Sequence, residues 1–319
     1  MAKNNQKAVF IGECMIEISG NTEKIKNSST KININFGGDT YNSAVYFSRI
    51  SGKMIKTYFV TALSQDSFSK KMISRFKSER IECQFIRTDG QAPPGLYSIE
   101  TDKEGNREFS YWRNNSPAKQ LFKGVRGKKL IKDLSYTDII YYSGISVAIL
   151  NTSQRQNLIK LGASANITAF DFNYRKALHK KEEAQKLIKY INENVNIHFI
   201  SYDDAVEIFD ISNPNEIFEI LNTNKNLMLL RYKDSVIYKN NDEEIKSLNL
   251  PHIKAIDTTA AGDSFNGAFL ALMNNENRLS LEDKILKSHS VTREVIQHKG
   301  AIIPKNCMPK NIINNKGEL

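Results

Sequence analysis

The residues best suited to chemistry lie in the stretch Asp257-Thr-Thr-Ala-Ala-Gly-Asp263, where small residues separate two aspartates. The amphiphilic run that follows, 264–273, predicts a helix. A turn of small residues that opens a helix exposes unpaired backbone N–H groups, and the helix dipole adds partial positive charge there. Such a turn can hold a transferring phosphoryl group. We therefore expect Asp263, at its mouth, to accept a proton from a substrate hydroxyl; the alternative is an ordinary aspartate N-cap.

A second glycine-rich turn, Gly37-Gly38-Asp39-Thr40-Tyr41-Asn42, lies near the N-terminus. It follows the alternating segment 32–36, which predicts a half-exposed strand, and precedes a predicted helix at 43–50. Glycines let the backbone approach a ligand closely, and an asparagine side chain can both donate to and accept from hydroxyl groups. A plain turn remains the alternative for this segment.

Length and composition predict an ordinary soluble protein. The chain has 319 residues, 40% hydrophobic and 25% charged, enough for one large α/β domain or two modest ones. The net charge of +10 is scattered; its one cluster, 123–129, lacks interleaved aromatic residues, which argues against a nucleic-acid partner. No signal peptide or membrane span is visible, so we expect a cytoplasmic protein with no membrane partner.

Residue spacing excludes several classes of site. Cys14, Cys83 and Cys307 are odd in number and far apart, which argues against a disulfide framework or a zinc site. The five histidines show no metal-ligand spacing, so we predict no protein-ligated metal. Neither a Walker A motif nor G-x-G-x-x-G occurs, which excludes a P-loop kinase and the common dinucleotide-binding motif.

Strands and helices are expected to alternate along the chain, which predicts a parallel sheet covered by helices. The predicted strands are 8–19, 57–63, 83–86, 139–142, 168–172, 198–200 and 227–231. The predicted helices are 67–79, 152–165, 181–194, 203–222 and 281–298. The segments 96–100 and 107–113 alternate around the turn 102–106 and predict a hairpin, which would join 32–36 in a small separate sheet.

The two glycine-rich turns together resemble the paired signatures of the ribokinase-like (PfkB) carbohydrate kinases. Further motifs span almost the whole chain in the family's order and resemble the branch that acts on 2-keto-3-deoxygluconate: Gly12-Glu-Cys-Met-Ile-Glu, Pro94-Gly-Leu-Tyr97, Tyr111-Trp-Arg113-Asn, Ser143-Gly-Ile-Ser, Phe170-Asp-Phe-Asn-Tyr-Arg175 and Gly300-Ala-Ile-Ile-Pro304. The resemblance implies an α/β, ribokinase-like three-layer fold with a mostly parallel twisted sheet and a small β-sheet lid. It assigns 1–310 to the kinase domain, about 13–36 and 93–115 to the lid, and 311–319 to a polar tail.

The resemblance also implies an activity, transfer of the γ-phosphoryl group of ATP to the terminal hydroxyl of 2-dehydro-3-deoxy-D-gluconate. Asp263 would be the general base, and the amides of Ala261, Gly262 and Asp263 would stabilise the transferred charge. The implied substrate contacts are Gly38, Asp39, Asn42, Tyr97, Tyr111, Arg113, Arg175 and Asp263. The implied nucleotide contacts are Asn173, Arg175, Arg231, Ser235, Ala260, Ala261 and Gly262.

A sugar acid carries a carboxylate, for which a bidentate arginine is the expected partner. Alternation places Tyr111 and Arg113 on one face of their strand, so both can contact one ligand; the alternative is that Arg113 and Arg175 form surface ion pairs. The resemblance implies ATP with Mg²⁺, held through water and phosphate. It leaves open a monovalent cation and a homodimer or higher homo-oligomer.

Two segments depart from the family pattern. Tyr232 replaces a glycine, and its Cβ would penalise a positive φ. In 201–207, Asp203 has Val206 where an acid is expected, although Asp204 and Glu207 could restore the spacing. These departures keep open a non-catalytic sugar-acid-binding descendant. A kinase for another ketose, such as fructose or ribose, is a separate alternative.

Overall fold

The computed structural model of the protein describes residues 6–19, 32–101, 107–221, 225–275, 278–310 and 312. The strands in this part of the chain are β1 (Gln6–Ile11), β2 (Met15–Ser19), β3 (Asn33–Gly37), β4 (Ile55–Val60), β5 (Ile81–Glu82), β6 (Leu96–Thr101), β7 (Arg107–Trp112), β8 (Ile139–Ser143), β9 (Ile167–Asp171), β10 (Ile197–Ser201), β11 (Leu227–Tyr232), β12 (Ser235–Asn240) and β13 (Lys246–Asn249). The α-helices are α1 (Asp39–Ser51), α2 (Ser67–Ser78), α3 (Gly124–Leu134), α4 (Gly144–Ala148), α5 (Thr152–Ala163), α6 (Lys181–Asn192), α7 (Tyr202–Phe209), α8 (Glu216–Leu221), α9 (Ala261–Asn275) and α10 (Leu281–Val295).

The large sheet has the strand order β13-β12-β11-β10-β9-β8-β1-β4-β5. Its pairings are parallel from β11 to β5, whereas β12 and β13 are added in antiparallel fashion at one edge. Residues of β1 alternate between two buried clusters: Ala8 and Phe10 face the side of α1, α2, α9 and α10, and Val9 and Ile11 face the opposite helices. The predicted three-layer α/β fold is confirmed.

The small sheet has the order β3-β2-β6-β7, in which β2 and β6 are parallel and the other pairs antiparallel. The predicted hairpin is present as β6 and β7; its turn, 102–106, lies outside the described residues, as does 311–319 apart from Ile312. The single strand predicted at 8–19 is wrong. It is two strands in two sheets, and Glu13 lies in the segment that crosses between them.

Other boundaries also differ from the sequence-based predictions. The strand expected at 83–86 is instead a turn closed by the Ile86 N–H and the Cys83 carbonyl, and β5 precedes it. The helix expected at 203–222 is broken, because Asp210 adopts a left-handed conformation (φ 55°) that ends α7. Helix α3 and strands β12 and β13 were not predicted.

Candidate active site

A cleft of about 1100 Å³ lies between the small sheet and the carboxyl ends of the parallel strands, the usual ligand-binding edge of such sheets. Its lining includes nearly all the residues predicted to contact a ligand: Gly38, Asp39, Asn42, Tyr97, Tyr111, Arg113, Asn173, Arg175, Arg231, Ala260, Ala261, Gly262 and Asp263. Ser235 is the exception, because it starts β12 outside this lining and its hydroxyl donates to the Tyr232 carbonyl at 2.7 Å.

The loop before α9 is held by Asp257. Its carboxylate accepts hydrogen bonds from the N–H groups of Thr259, at 2.7 Å, and Gly300, at 2.8 Å. Ala260, the last loop residue, has φ 60°, a left-handed conformation that is costly for a residue with a Cβ. A side-chain anchor and a strained residue therefore fix the direction in which α9 begins.

The first turn of α9 presents free amides to the cleft. The N–H of Ala261 already bonds to the Thr258 carbonyl at 3.2 Å, whereas those of Gly262 and Asp263 have no backbone partner among the described residues. Unpaired amides at a helix N-terminus are suited to binding an anion. Of the three amides that the sequence analysis assigned to an anion, that of Ala261 is already engaged. Those of Gly262 and Asp263 have no backbone partner among the described residues.

Arg231 lies directly beside these amides. A methyl group on Gly262 would come within 2.9 Å of both Arg231 Nη atoms, so the lack of a side chain at Gly262 lets the guanidinium lie this close. Arg231 Nη1 donates to Asn266 Oδ1 at 3.2 Å, and Asn266 Nδ2 donates to Asp171 Oδ2 at 2.8 Å. Sequence reasoning gave neither Asn266 nor Asp171 a role, although Asn266 is one helical turn after Asp263 and thus on the same face of α9.

Three carboxyl groups that line the cleft, those of Asp263, Asp171 and Asp204, have raised pKa values. Burial, followed by the charge of Asp39, raises the pKa of Asp263 to about 8, although a hydrogen bond from Asn42 opposes the shift. Burial likewise raises the pKa of Asp171 to about 7 and raises that of Asp204. A carboxyl group whose pKa lies near neutrality is well matched to general base catalysis.

Two hydrogen bonds join the predicted substrate residues to the rest of the site. Asn42 Nδ2 donates to Asp263 Oδ2 at 2.9 Å, which leaves Oδ1 of this carboxylate for another partner. Asn173 Nδ2 donates to Asp39 Oδ2 at 2.8 Å and thereby links the two predicted binding regions. This hydrogen bond therefore holds the loop after β9 against the N-terminus of α1.

The small sheet contributes the opposite wall. Tyr97 donates its hydroxyl hydrogen bond to the buried carboxylate of Glu17, and Arg113 forms an ion pair with the buried carboxylate of Glu13. Tyr111 is 49% exposed. Sequence reasoning quoted both glutamates within a motif but assigned them no role; the available signal was two acids in an otherwise apolar strand.

Three further charged residues line the cleft: Arg175, Asp203 and Asp204. Arg175 is exposed and donates from Nη1 to the Tyr174 carbonyl at 2.6 Å. Asp203 and Asp204, at the N-terminus of α7, line the cleft, whereas Glu207 is exposed outside this lining. Of the alternative pair Asp204 and Glu207, only Asp204 therefore lines the cleft.

The strain considered for Tyr232 does not occur. Tyr232 ends β11, and the positive φ falls on the next residue, Lys233, at 50°. The Tyr232 ring packs edge-on against Tyr202 with centroids 4.7 Å apart. The glycine-to-tyrosine departure is thus accommodated within a strand.

Within the described residues, no group of three or more His, Cys, Asp or Glu side chains is arranged to hold a metal ion. In the same part of the chain, no helix combines the length and apolar character needed to cross a membrane. Cys14, Cys83 and Cys307 are free thiols, as their spacing predicts.

Comparison with known proteins agrees with this geometry. The chain is 35% identical over 317 residues to the 2-dehydro-3-deoxygluconokinase of Escherichia coli (strain K12), covering 96% of this chain and 99% of the relative. It is 35% identical over 311 residues to the protein of the same name from Haemophilus influenzae, covering 94% and 96%. The solved structure of 2-dehydro-3-deoxygluconokinase from Thermotoga maritima superimposes with a TM-score of 0.75 at 19% identity, covering 93% and 96%, which shows a shared fold.

A family model describes the same relationship over nearly the full chain. The model for pfkB family carbohydrate kinases matches residues 5–307, a range that contains every cleft residue named above. The chain therefore belongs to the pfkB family of carbohydrate kinases.

Proposed function

We propose that the protein transfers the γ-phosphoryl group of ATP to the terminal hydroxyl of 2-dehydro-3-deoxy-D-gluconate, giving the 6-phosphorylated sugar acid and ADP. The observation that carries this proposal is one cleft shared by Asp263, the first-turn amides of α9, and the guanidinium groups of Arg113 and Arg175. The full-length similarity to proteins named 2-dehydro-3-deoxygluconokinase supports the choice of substrate.

In this proposal Asp263 is the general base. The proton of the attacking hydroxyl passes to its carboxylate, the hydroxyl oxygen bonds to the γ-phosphorus, and the bond to the bridging oxygen breaks with its electron pair leaving on ADP. The hydrogen bond from Asn42 holds Oδ2 and orients the carboxylate. The pKa of about 8 lets Asp263 take up and release this proton near neutral pH.

The developing negative charge would be met by the amides of Gly262 and Asp263 and by the adjacent guanidinium of Arg231. These groups are fixed before reaction, because Asp257 anchors the loop and Asn266 holds Arg231. Preorganised donors of this kind require little rearrangement during the chemical step. Because Gly262 has no side chain, the Arg231 guanidinium lies close to the turn that carries these amides.

The nucleotide would be held by Arg231, Arg175 and Asn173, which line the same cleft. Asp203 and Asp204 also line it and would orient water around Mg²⁺, whose charge neutralises phosphate oxygens when it is bound. Two carboxylates, with no third His, Cys, Asp or Glu ligand beside them among the described residues, fit an ion held through water and phosphate rather than a protein cage.

The carboxylate of the sugar acid would contact the arginines. Arg113 lies beside Tyr111 at the small sheet, and Arg175 reaches the cleft from the loop after β9. Enclosure of the sugar by the small sheet would exclude water, which otherwise competes for the phosphoryl group. We assign the small sheet to a lid on this basis.

A coupled assay of ADP release on a panel of sugars and sugar acids tests the proposal. We expect turnover with 2-dehydro-3-deoxy-D-gluconate, and we expect Asp263→Asn to lower kcat by about 10²- to 10⁴-fold while sugar binding by calorimetry persists. Wild-type turnover in that variant would remove Asp263 as the base. Sugar binding by the wild type without ADP release would instead indicate the non-catalytic binder.

A second candidate is a kinase for a neutral ketose such as fructose. It is favoured by the ion pair with Glu13, which offsets the charge of Arg113, and by Asp39, which lines the cleft with a carboxylate that can accept from sugar hydroxyl groups. Arg113→Ala distinguishes the two, since it should weaken binding of a sugar acid far more than binding of fructose.

A further inference from the structure

Glu13 is a buried acid that the mechanism above does not use. Its side chain is 2% exposed, and it lies in the segment that crosses from β1 to β2, outside the cleft lining. It forms an ion pair with Arg113, whose side chain is 10% exposed and does reach the cleft. The pair therefore connects the crossing between the two sheets to the wall that faces the sugar.

The hydrogen bonding of this pair is incomplete. Glu13 Oε1 and Arg113 Nε are both buried and have no hydrogen-bond partner among the described residues. A methyl group at Gly95 would lie 2.8 Å from Glu13 Oε1 and 3.1 Å from Arg113 Cβ, so a glycine provides the space for this carboxylate. A buried ion pair that served only stability would be expected to satisfy its polar atoms.

A guanidinium group has five N–H donors in one plane. Glu13 engages Nη2, one of these donors, and thereby restrains the guanidinium of an arginine that lines the cleft. A long, flexible arginine that is held in this way loses less conformational entropy when it binds a ligand. Without its partner, Arg113 would also be drawn toward solvent.

We propose that Glu13 is a positioning residue that holds Arg113 in the orientation needed to bind the carboxylate of the substrate, an inference that rests on the proposed function. Glu13 does not touch the substrate; it acts through Arg113. Selectivity for a sugar acid would then depend on the geometry of the guanidinium as well as on its charge.

The first test is Glu13→Gln, which keeps the shape of the side chain and removes its charge. We expect the KM for 2-dehydro-3-deoxy-D-gluconate to rise about ten- to a hundredfold, as is typical when a supporting partner of a binding group is lost. The kcat should stay within about threefold and the KM for ATP should not change, because Asp263 and the nucleotide contacts are untouched. A KM for the sugar acid within about twofold of wild type would overturn the proposal.

A double-mutant cycle with Arg113→Gln tests whether Glu13 acts through Arg113. We expect the double variant to have no higher KM than Arg113→Gln alone, because an absent arginine needs no positioning. Additive effects of the two changes on KM would overturn the proposal. The double variant should also be more stable than Arg113→Gln, in which a buried carboxylate has lost its partner.

Glu79→Gln is the matched control, since Glu79 is the equally buried partner of Arg49, at 2% and 4% exposed, and both lie outside the cleft lining. It should lower thermal stability and leave the KM for the sugar acid unchanged. An equal rise in KM would mean that the Glu13 effect is general destabilisation.

If Glu13→Gln does not fold, Glu13→Asp keeps the charge but moves the carboxylate away from Arg113. An unchanged KM in that variant overturns the proposal. Absence of wild-type turnover with the sugar acid would instead overturn the proposed function itself.

Discussion

Two buried arginine–glutamate pairs in this protein differ in how completely they are satisfied. Arg49 donates from Nε to Glu79 Oε2 at 2.9 Å, from Nη2 to Oε1 at 3.0 Å, and from Nη1 to the Ile303 carbonyl at 2.8 Å. Within the described part of the chain, the pair of Arg113 and Glu13 leaves a buried nitrogen and a buried oxygen without hydrogen-bond partners. The first pair ties α1 to the end of α2 and to the C-terminal segment, whereas the second includes an arginine that lines the cleft.

The region around Arg49 and the cleft also differ in the pKa values of their buried acids. Burial raises the pKa of Glu79, but the hydrogen bond and charge of Arg49, with Lys305 and Arg75, lower it overall. In the cleft, burial dominates and the pKa values of Asp263 and Asp171 rise to about 8 and about 7. The pKa of Glu79 is therefore low enough for a fixed negative charge, whereas the pKa of Asp263 lies near neutral pH.

The largest expected effect is on stability, at the satisfied pair. Arg49→Met leaves the Glu79 carboxylate buried without its bidentate partner, so we expect the free energy of unfolding to fall by about 3–5 kcal/mol. Denaturant unfolding measures this loss, and kinetics below the transition should give the wild-type KM for the sugar acid. A raised KM in Arg49→Met would break the distinction between the two pairs.

Replacement of both partners by apolar residues sharpens the distinction. We expect Arg49→Met with Glu79→Leu to recover much of the stability lost in the single variant, because no unpaired charge remains buried. We expect Arg113→Met with Glu13→Leu to fold comparably but to bind the sugar acid about a hundredfold more weakly, or about 2.7 kcal/mol. Calorimetric titration of both double variants provides the measurement; equal affinities would contradict it.

The sequence predicted the chemical groups better than the contacts between them. The 257–263 turn was predictable because small residues before an amphiphilic helix have few other uses, and strand alternation placed Tyr111 beside Arg113. The partner of Arg113 was not predictable, since Glu13 is 100 positions away and joins it only through the crossing between the sheets. That crossing was itself hidden, because the apolar run 8–11 resumes at 14–16 after only Gly12 and Glu13.

The backbone strain expected at Tyr232 from the local sequence does not occur. Tyr232 was expected to strain a position that favours glycine, but the two-residue turn after β11 moves the positive φ to Lys233. Backbone conformation at such a turn depends on the register of β11 with β12, and β12 was not predicted. The sequence of a single strand does not contain that register.

Stability should respond to pH through the unpaired cleft acids. An unfolded aspartate has a pKa of about 3.9, so between that pH and about 8 the folded protein retains a proton on Asp263 that the unfolded chain has lost. Stability therefore falls as pH rises through this window, and the penalty is complete above it. We expect Asp263→Asn to raise the Tm by about 2–6 °C at pH 9 and to change it little at pH 4. The same difference in Tm between Asp263→Asn and the wild type at both pH values would contradict the raised pKa of Asp263.

The pH dependence of activity tests the same group with a smaller effect. Because Asp263, the proposed base, must be deprotonated to act, kcat/KM should rise with pH and level off above about 8. Asp39→Asn removes a charge that raises the pKa of Asp263, so the rising limb should move to lower pH by about half a unit. Asp133→Asn, an exposed acid paired with Lys129, is the control and should leave the limb in place.

The smallest effects concern two strained residues, one in each region. Ala260 in the cleft loop has φ 60°, and Arg80 after α2 has φ 57°, beside the Arg49–Glu79 pair. Glycine relieves the Cβ clash at both but adds freedom to the unfolded chain, so each change should shift the Tm by only about 1–2 °C.

Their effects on turnover should nevertheless differ. Ala260→Gly loosens the turn that presents the amides of Gly262 and Asp263, so we expect kcat to fall about threefold, which is about 0.7 kcal/mol. Arg80→Gly should leave kcat unchanged, because Arg80 is remote from the cleft lining. Steady-state kinetics at one pH compares the two variants directly. A wild-type kcat in Ala260→Gly would mean that Asp257 alone fixes the loop, and that the strain at Ala260 contributes nothing to the alignment of the anion-binding amides.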